Sequence, residues 1–246
     1  MSGFELIPAI DLLGGRCVRL SQGRYEEATV YGEDPAAVAA GFARHAIRRL
    51  HVVDLDGARS GQPGNAWAVG RILARCPGIA VQLGGGLRSL AAVEAVFEAG
   101  VERAVLGTAA LRDPALVREA AARHPGRIAV GIDARAGRVA VQGWTETSEA
   151  GAVELARRFE DAGVAALVYT DIARDGVLSG PNLEAALELA AAVAIPVILS
   201  GGIASLEDLV RAAALSDRGL AGAIVGRALY TGAVDLGRAL ERLACS

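Results

Sequence analysis

Ile79-Ala-Val-Gln-Leu-Gly-Gly-Gly-Leu-Arg-Ser89 is echoed further along the chain by Ile195-Pro-Val-Ile-Leu-Ser-Gly-Gly-Ile-Ala-Ser205. Each stretch is an apolar run that ends in glycines and leads into a serine able to start a helix. A second pair follows the same plan, Arg103-Ala-Val-Leu-Gly-Thr108 and Ala223-Ile-Val-Gly-Arg227. Subtraction shows how regular the echo is. Asp54 to Asp171, Asn65 to Asn182 and Gly84 to Gly201 are each 117 residues apart, whereas Asp11 to Asp133 is 122. Two long units of this kind predict a duplicated half-barrel, because a solenoid needs several short repeats.

Working outward, Val-, Ile- and Leu-rich runs fall at 5–10, 50–55, 79–83, 103–106, 128–132, 165–170, 196–200 and 222–225. Continuous apolarity predicts strands buried on both faces. Helix-like periodicity separates them, opened by Asp34-Pro35, Asn65, Ser89, Asp113-Pro114, Ser148, Asn182 and Ser205 as candidate caps. Eight strand signals alternating with eight helix signals predict the α/β class and a (β/α)8 TIM barrel with a two-fold half-barrel repeat. A doubly wound sheet would instead place its glycine fingerprint after the first strand, where Asp11 stands. No linker or charge block interrupts the chain, so residues 1–246 are expected to form one domain.

Composition narrows the function classes. Half of the 246 residues are hydrophobic, yet charges break every apolar stretch before 18 residues, and no membrane span is expected. The first residues lack a basic segment followed by an apolar one, so no secretory signal is expected. Cys17, Cys76 and Cys245 are odd in number and not spaced for zinc or disulfides, which predicts a reducing cytoplasm. His45, His51 and His124 have no metal-ligand spacing, and no metal is expected. A net charge of −3 argues against nucleic-acid binding, so anionic ligands must be held by local devices.

The glycine loops are such devices. Helix N-termini bind phosphate through unpaired N–H groups, and barrels commonly build a phosphate site in the loops after strands 7 and 8. Ser200, Gly201, Gly202, Gly226 and Arg227 occupy those loops. The repeat puts Gly84, Gly85, Gly86 and Arg88, with Gly107 and Thr108, in the loops after the third and fourth predicted strands. Any one glycine could be making a tight turn only. Four loops paired by a repeat predict two phosphate sites, and hence a small-molecule substrate with a phosphate at each end.

Asp11 and Asp133 end the first and fifth predicted strands, which lie opposite each other at the mouth of an eight-stranded barrel. Facing carboxylates can divide acid and base work if their environments separate their pKa values. Either alone could merely cap its loop or pair with Arg16 or Arg135. Asp54, Asp56, Asp171 and Asp175 add acids after two further strands, spread too widely to suggest a metal centre. Thr170 and Asp171 are expected to bond substrate hydroxyls or to position Asp133. Trp144, in a polar loop, is either a folded-back anchor or a surface for stacking a heterocycle. Gln22–Glu27 is long and polar enough for a lid, and Trp67 is expected to pack.

Taken together, Ile7–Gly14, Val18-Arg-Leu20, Gly84–Ser89, Gly107–Ala110, Gly143-Trp144, Tyr169–Gly176, Gly180-Pro-Asn182 and Ile224–Arg227 resemble the ProFAR isomerase family of histidine biosynthesis. ProFAR is the phosphoribosylformimino aminoimidazole carboxamide ribonucleotide, and the resemblance spans essentially the whole chain. It implies an Amadori rearrangement with Asp11 as proton acceptor, Asp133 as donor and Thr170 assisting. It also implies substrate contacts from the glycine loops, Trp144, Asp171 and Gly176. No cofactor is implied, because the imine nitrogen serves as electron sink, and a monomer is expected. The sister cyclase differs by a lysine near Val18–Leu20 and by an Asn-Thr pair where Gly107-Thr108 stands. The dual-substrate isomerase that also acts on phosphoribosylanthranilate usually carries an arginine where Glu146 stands here. A non-catalytic sugar-phosphate binder would need the glycines but not both Asp11 and Asp133.

Overall fold

The computed structural model describes residues 3–141, 143–144 and 146–245. Its strands are β1 (Glu5–Leu13), β2 (Arg16–Ser21), β3 (Arg24–Gly32), β4 (Arg49–Asp54), β5 (Ala80–Gly84), β6 (Arg103–Leu106), β7 (Ile128–Arg135), β8 (Arg138–Val141), β9 (Glu146–Gly151), β10 (Ala166–Asp171), β11 (Val197–Ser200) and β12 (Leu220–Val225). Eight of them pair in parallel in the order β1-β4-β5-β6-β7-β10-β11-β12, and β12 pairs with β1 to close a (β/α)8 barrel. All eight predicted strands lie in this ring. Helices between successive strands bury their apolar faces against its outside, in a core that includes Leu50, Ile72, Leu106, Phe159 and Leu167. A smaller cluster, Ile7, Ala9, Val105, Ala129, Ala166, Val168, Ile198 and Ile224, fills the inside. Side chains alternate in and out along each strand, so both faces must be apolar. Among the described residues no helix is long and apolar enough to cross a membrane.

Most of the 122-against-117 offset lies in two hairpins. After β1 the chain runs antiparallel through β2 and β3, and after β7 it does the same through β8 and β9. Each half therefore carries a β-hairpin on its first strand, and the first half is five residues longer. Gln22–Glu27 is thus not an irregular loop. It forms the tip of the β2–β3 hairpin, where Gln22 donates to the Ala173 carbonyl at 3.0 Å. The solvated faces of β3 lack the apolar run that marked the barrel strands.

Five of the expected caps accept a hydrogen bond from their own helix: Asp34, Ser89, Asp113, Asn182 and Ser205. Ser205 does so within a reciprocal capping box with Asp208. Ser148 does not cap. It lies within β9, and the next helix starts at Ala152 behind Gly151. Asn65 precedes a helix but makes no cap bond. Instead its side-chain nitrogen bonds Asp54 at 2.6 Å and Asp56 at 2.8 Å, and its oxygen accepts from Gly15 N. At the repeat-related place Asn182 bonds Asp171 at 2.7 Å. These Asp–Asn latches explain why both residue types recur at a spacing of 117. Trp67 packs at the surface: it is 57% exposed, and its indole covers the Gly15 turn.

Candidate active site

The C-terminal ends of the parallel strands open into a cavity of about 1180 Å³, its mouth included. Asp11, Gly84, Gly85, Arg88, Gly107, Thr108, Asp133, Trp144, Thr170 and Ser200 all line it. A smaller recess of about 310 Å³ holds Gly176, Gly201, Gly202, Gly226 and Arg227. Arg19, Asp175, Ser200 and Ile224 border both spaces, so the two glycine-loop pairs stand at the ends of one trough. Of the predicted site residues only Asp171 borders neither. Its carboxylate accepts from Ala173 N and from Asn182, and so it organises the loop after β10 rather than facing a ligand.

The glycines are there because backbone meets backbone. At Gly85, with φ of +104°, a Cβ would lie 2.1 Å from the Asp54 carbonyl. At Gly202, with φ of +85°, it would lie 2.5 Å from the Gly180 carbonyl. No L side chain fits either position. Glycine lets both loops pack backbone against backbone at the strand ends. Gly226 answers a different demand, since a Cβ there would strike the Arg19 guanidinium at 2.1 Å. Arg227 donates to the Gly176 carbonyl and Arg88 to Ala58 O, which ties each arginine to a neighbouring loop.

The two candidate acid–base aspartates have unlike surroundings. Asp11 pairs with Arg19 at 2.9 Å, not with Arg16, which reaches Glu33. Burial pushes the Asp11 carboxyl up to about 6; Arg19 opposes the rise and Asp175 adds to it. Asp133 has no cationic partner among the described residues. Trp144 Nε1 donates to it at 2.8 Å, and the Thr170 hydroxyl bonds it as well. Burial still raises its pKa against both donors, with Asp175 acting in the same direction. The indole of Trp144 is thus an anchor on the carboxylate, and it covers Gly23 of the β2–β3 hairpin.

Sequence inspection overlooked Arg19, His51 and Asp175 as site residues. Arg19 is nearly fully buried, and only the β1–β2 pairing, Asp11 opposite Val18, shows how close it comes to Asp11. Its position next to a strand end was the available signal. Asp175 has a raised pKa from burial, lowered in part by Arg19. His51 is buried beside the same guanidinium, and both effects push it down to about 3, so the ring is neutral. Among the described residues no cluster of three or more His, Cys, Asp or Glu could hold a metal ion.

The family model described as "Histidine biosynthesis protein" matches residues 5–235. A protein of Methylocella silvestris is 62% identical over 239 residues, covering 97% of this chain and 97% of that protein. Its name is 1-(5-phosphoribosyl)-5-((5-phosphoribosylamino)methylideneamino)imidazole-4-carboxamide isomerase. Relatives of the same name from Rhodospirillum rubrum and a Picosynechococcus species are 59% and 56% identical. They cover 97% and 96% of this chain, and 99% and 92% of their own lengths.

Proposed function

The chain belongs to the histidine biosynthesis protein family, and from that membership we propose that Asp11 and Asp133 carry out its isomerase chemistry. The protein is an enzyme of histidine biosynthesis that converts ProFAR, an aminoaldose, to its ketose isomer. The carrying observation for the residue roles is the pair of unlike carboxylates between two glycine-loop anion sites. The trough fits a substrate with a phosphate at each end. One phosphate would sit at Gly84, Gly85, Arg88, Gly107 and Thr108, the other at Gly176, Ser200, Gly201, Gly202, Gly226 and Arg227. Trp144 and Thr170 would face the atoms between them.

Asp133 has no cationic partner among the described residues and an enhanced hold on its proton, which suits the acid. It protonates the ribose ring oxygen, the C1′–O bond breaks, and the amine lone pair forms a protonated Schiff base. Asp11, held against a guanidinium and ionised at neutral pH, suits the base. It removes the C2′ proton, and the electron pair moves through C1′ to the imine nitrogen. The resulting enolamine tautomerises to the ketose. Thr170 and Trp144 hold Asp133 in place, and each acid or base role contributes about 10²–10⁴-fold. No cofactor enters, because the imine nitrogen takes the electrons. The same reading places the enzyme in the cytoplasm, where the free cysteines stay reduced, acting as a monomer.

The experiment is an absorbance assay of the purified protein with ProFAR, coupled to cyclase and ammonia, beside one with phosphoribosylanthranilate. Turnover of ProFAR alone is expected. Failure to turn over ProFAR would overturn the reading, and turnover of both would replace it with a dual-substrate isomerase.

A further inference from the structure

Two polar side chains lie deep inside the barrel below the aspartates. His51 on β4 and Gln82 on β5 are partners across the strand pair, one step below Val53 and Gly84. Gln82 is fully buried, with its Nε2 2.9 Å from His51 Nδ1. With the amide nitrogen facing the ring, Nδ1 accepts and the ring proton is on Nε2. His51 lines the cavity, and among the described residues no protein group bonds its Nε2. Gln82 Oε1, by contrast, is buried without a partner. A half-satisfied buried amide destabilises the fold, where a Leu or Met would fill the same space. Such a penalty at the floor of a cavity points to a functional demand.

We propose that Gln82 is a positioning residue that fixes His51 as the Nε2–H tautomer, so that the ring presents a neutral hydrogen-bond donor to a sugar oxygen of the substrate. This rests on the isomerase reading. His51 sits on the strand beside β1, opposite Ala9 and below Asp11. His51 and Asp11 line the same cavity, so its donor is available to the part of the substrate that Asp11 deprotonates. A donor without charge can hold an oxygen there without drawing Asp11 into an ion pair. The other tautomer would present a lone pair there and could not donate to that oxygen.

The test is long-range 1H–15N NMR of the labelled protein, whose three histidines are assigned with single variants, together with ProFAR kinetics. In the wild type His51 is expected as the Nε2–H tautomer. In Gln82→Met the spectrum should shift to a mixture that includes Nδ1–H, and kcat/KM should fall about tenfold, the effect of one neutral hydrogen bond. An Nδ1–H ring in the wild type would overturn the proposal. So would a Gln82→Met protein with reduced activity but an unchanged tautomer, since that describes a purely structural residue. If Gln82→Met does not fold, the wild-type spectrum alone decides. A wild-type protein with the Nε2–H ring but no ProFAR turnover would sink the isomerase reading and leave the tautomer assignment standing.

Discussion

Replacing Arg19 with Met removes the guanidinium 2.9 Å from Asp11 while keeping a long apolar stem in a buried slot. The wild-type Asp11 carboxyl lies at about 6, where burial raises it and Arg19 holds it down. An opposing cation at this range typically lowers a carboxyl by about 1–3 units, so the variant should titrate near 7 to 9. At pH 7 the ionised fraction of the base would fall from about nine-tenths to between about one-half and one-hundredth. The sign is fixed by the role: a base must be ionised, so raising its pKa moves the acid limb of the pH–rate profile to higher pH. Asp175 also loses its cation and shifts the same way. The assay is kcat/KM for ProFAR from pH 5 to 9 for both proteins. The wild-type limb is expected near pH 6 and the variant limb at least one unit higher, with activity partly recovered at high pH. A limb that stays put, or moves down, would refute the assignment of Asp11 as the base that Arg19 tunes.

Further outcomes follow from the same geometry. Asp133→Asn should lower kcat by about 10²–10⁴-fold in the coupled assay while KM changes little. The same variant should raise Tm at pH 8. The folded-state pKa of Asp133 lies above the unfolded value, so ionising it where it is buried costs stability, and that cost grows as pH rises above the unfolded pKa. The gain in Tm should therefore vanish in scans below pH 4. Gly202→Ala places a Cβ 2.5 Å from Gly180 O at positive φ; it should destabilise the protein by about 1–3 kcal/mol in urea unfolding and raise KM more than it lowers kcat. Asn65→Ala leaves Asp54, Asp56 and Gly15 N each short of a partner and should cost about 1–3 kcal/mol by the same method.

The barrel was legible because strands buried on both faces leave an unmistakable apolar run, and β5 and β11 end in paired glycine loops. The hairpins were not. Residues 16–32 expose much of both faces of β3, so Gln22–Glu27 resembled a loop, and Ser148 resembled a cap because its strand carries few apolar side chains. Asp11 and Asp133 stood out through their place at the strand ends. Arg19 did not, because a buried cation is recognised only by the carboxylate the hairpin folds it against. Asp171 misled for the opposite reason: its position matched a ligand-facing pattern, while its hydrogen bonds serve Asn182 and its own loop.

A crystal structure of the Asp133→Asn enzyme with ProFAR bound would locate both ends of the substrate and its C2′ carbon together. One phosphate should lie against Gly85 and Thr108 and the other against Gly202 and Gly226, with C2′ within about 3.5 Å of an Asp11 oxygen. A substrate whose phosphates avoid these loops, or whose C2′ is out of reach of Asp11, would contradict it.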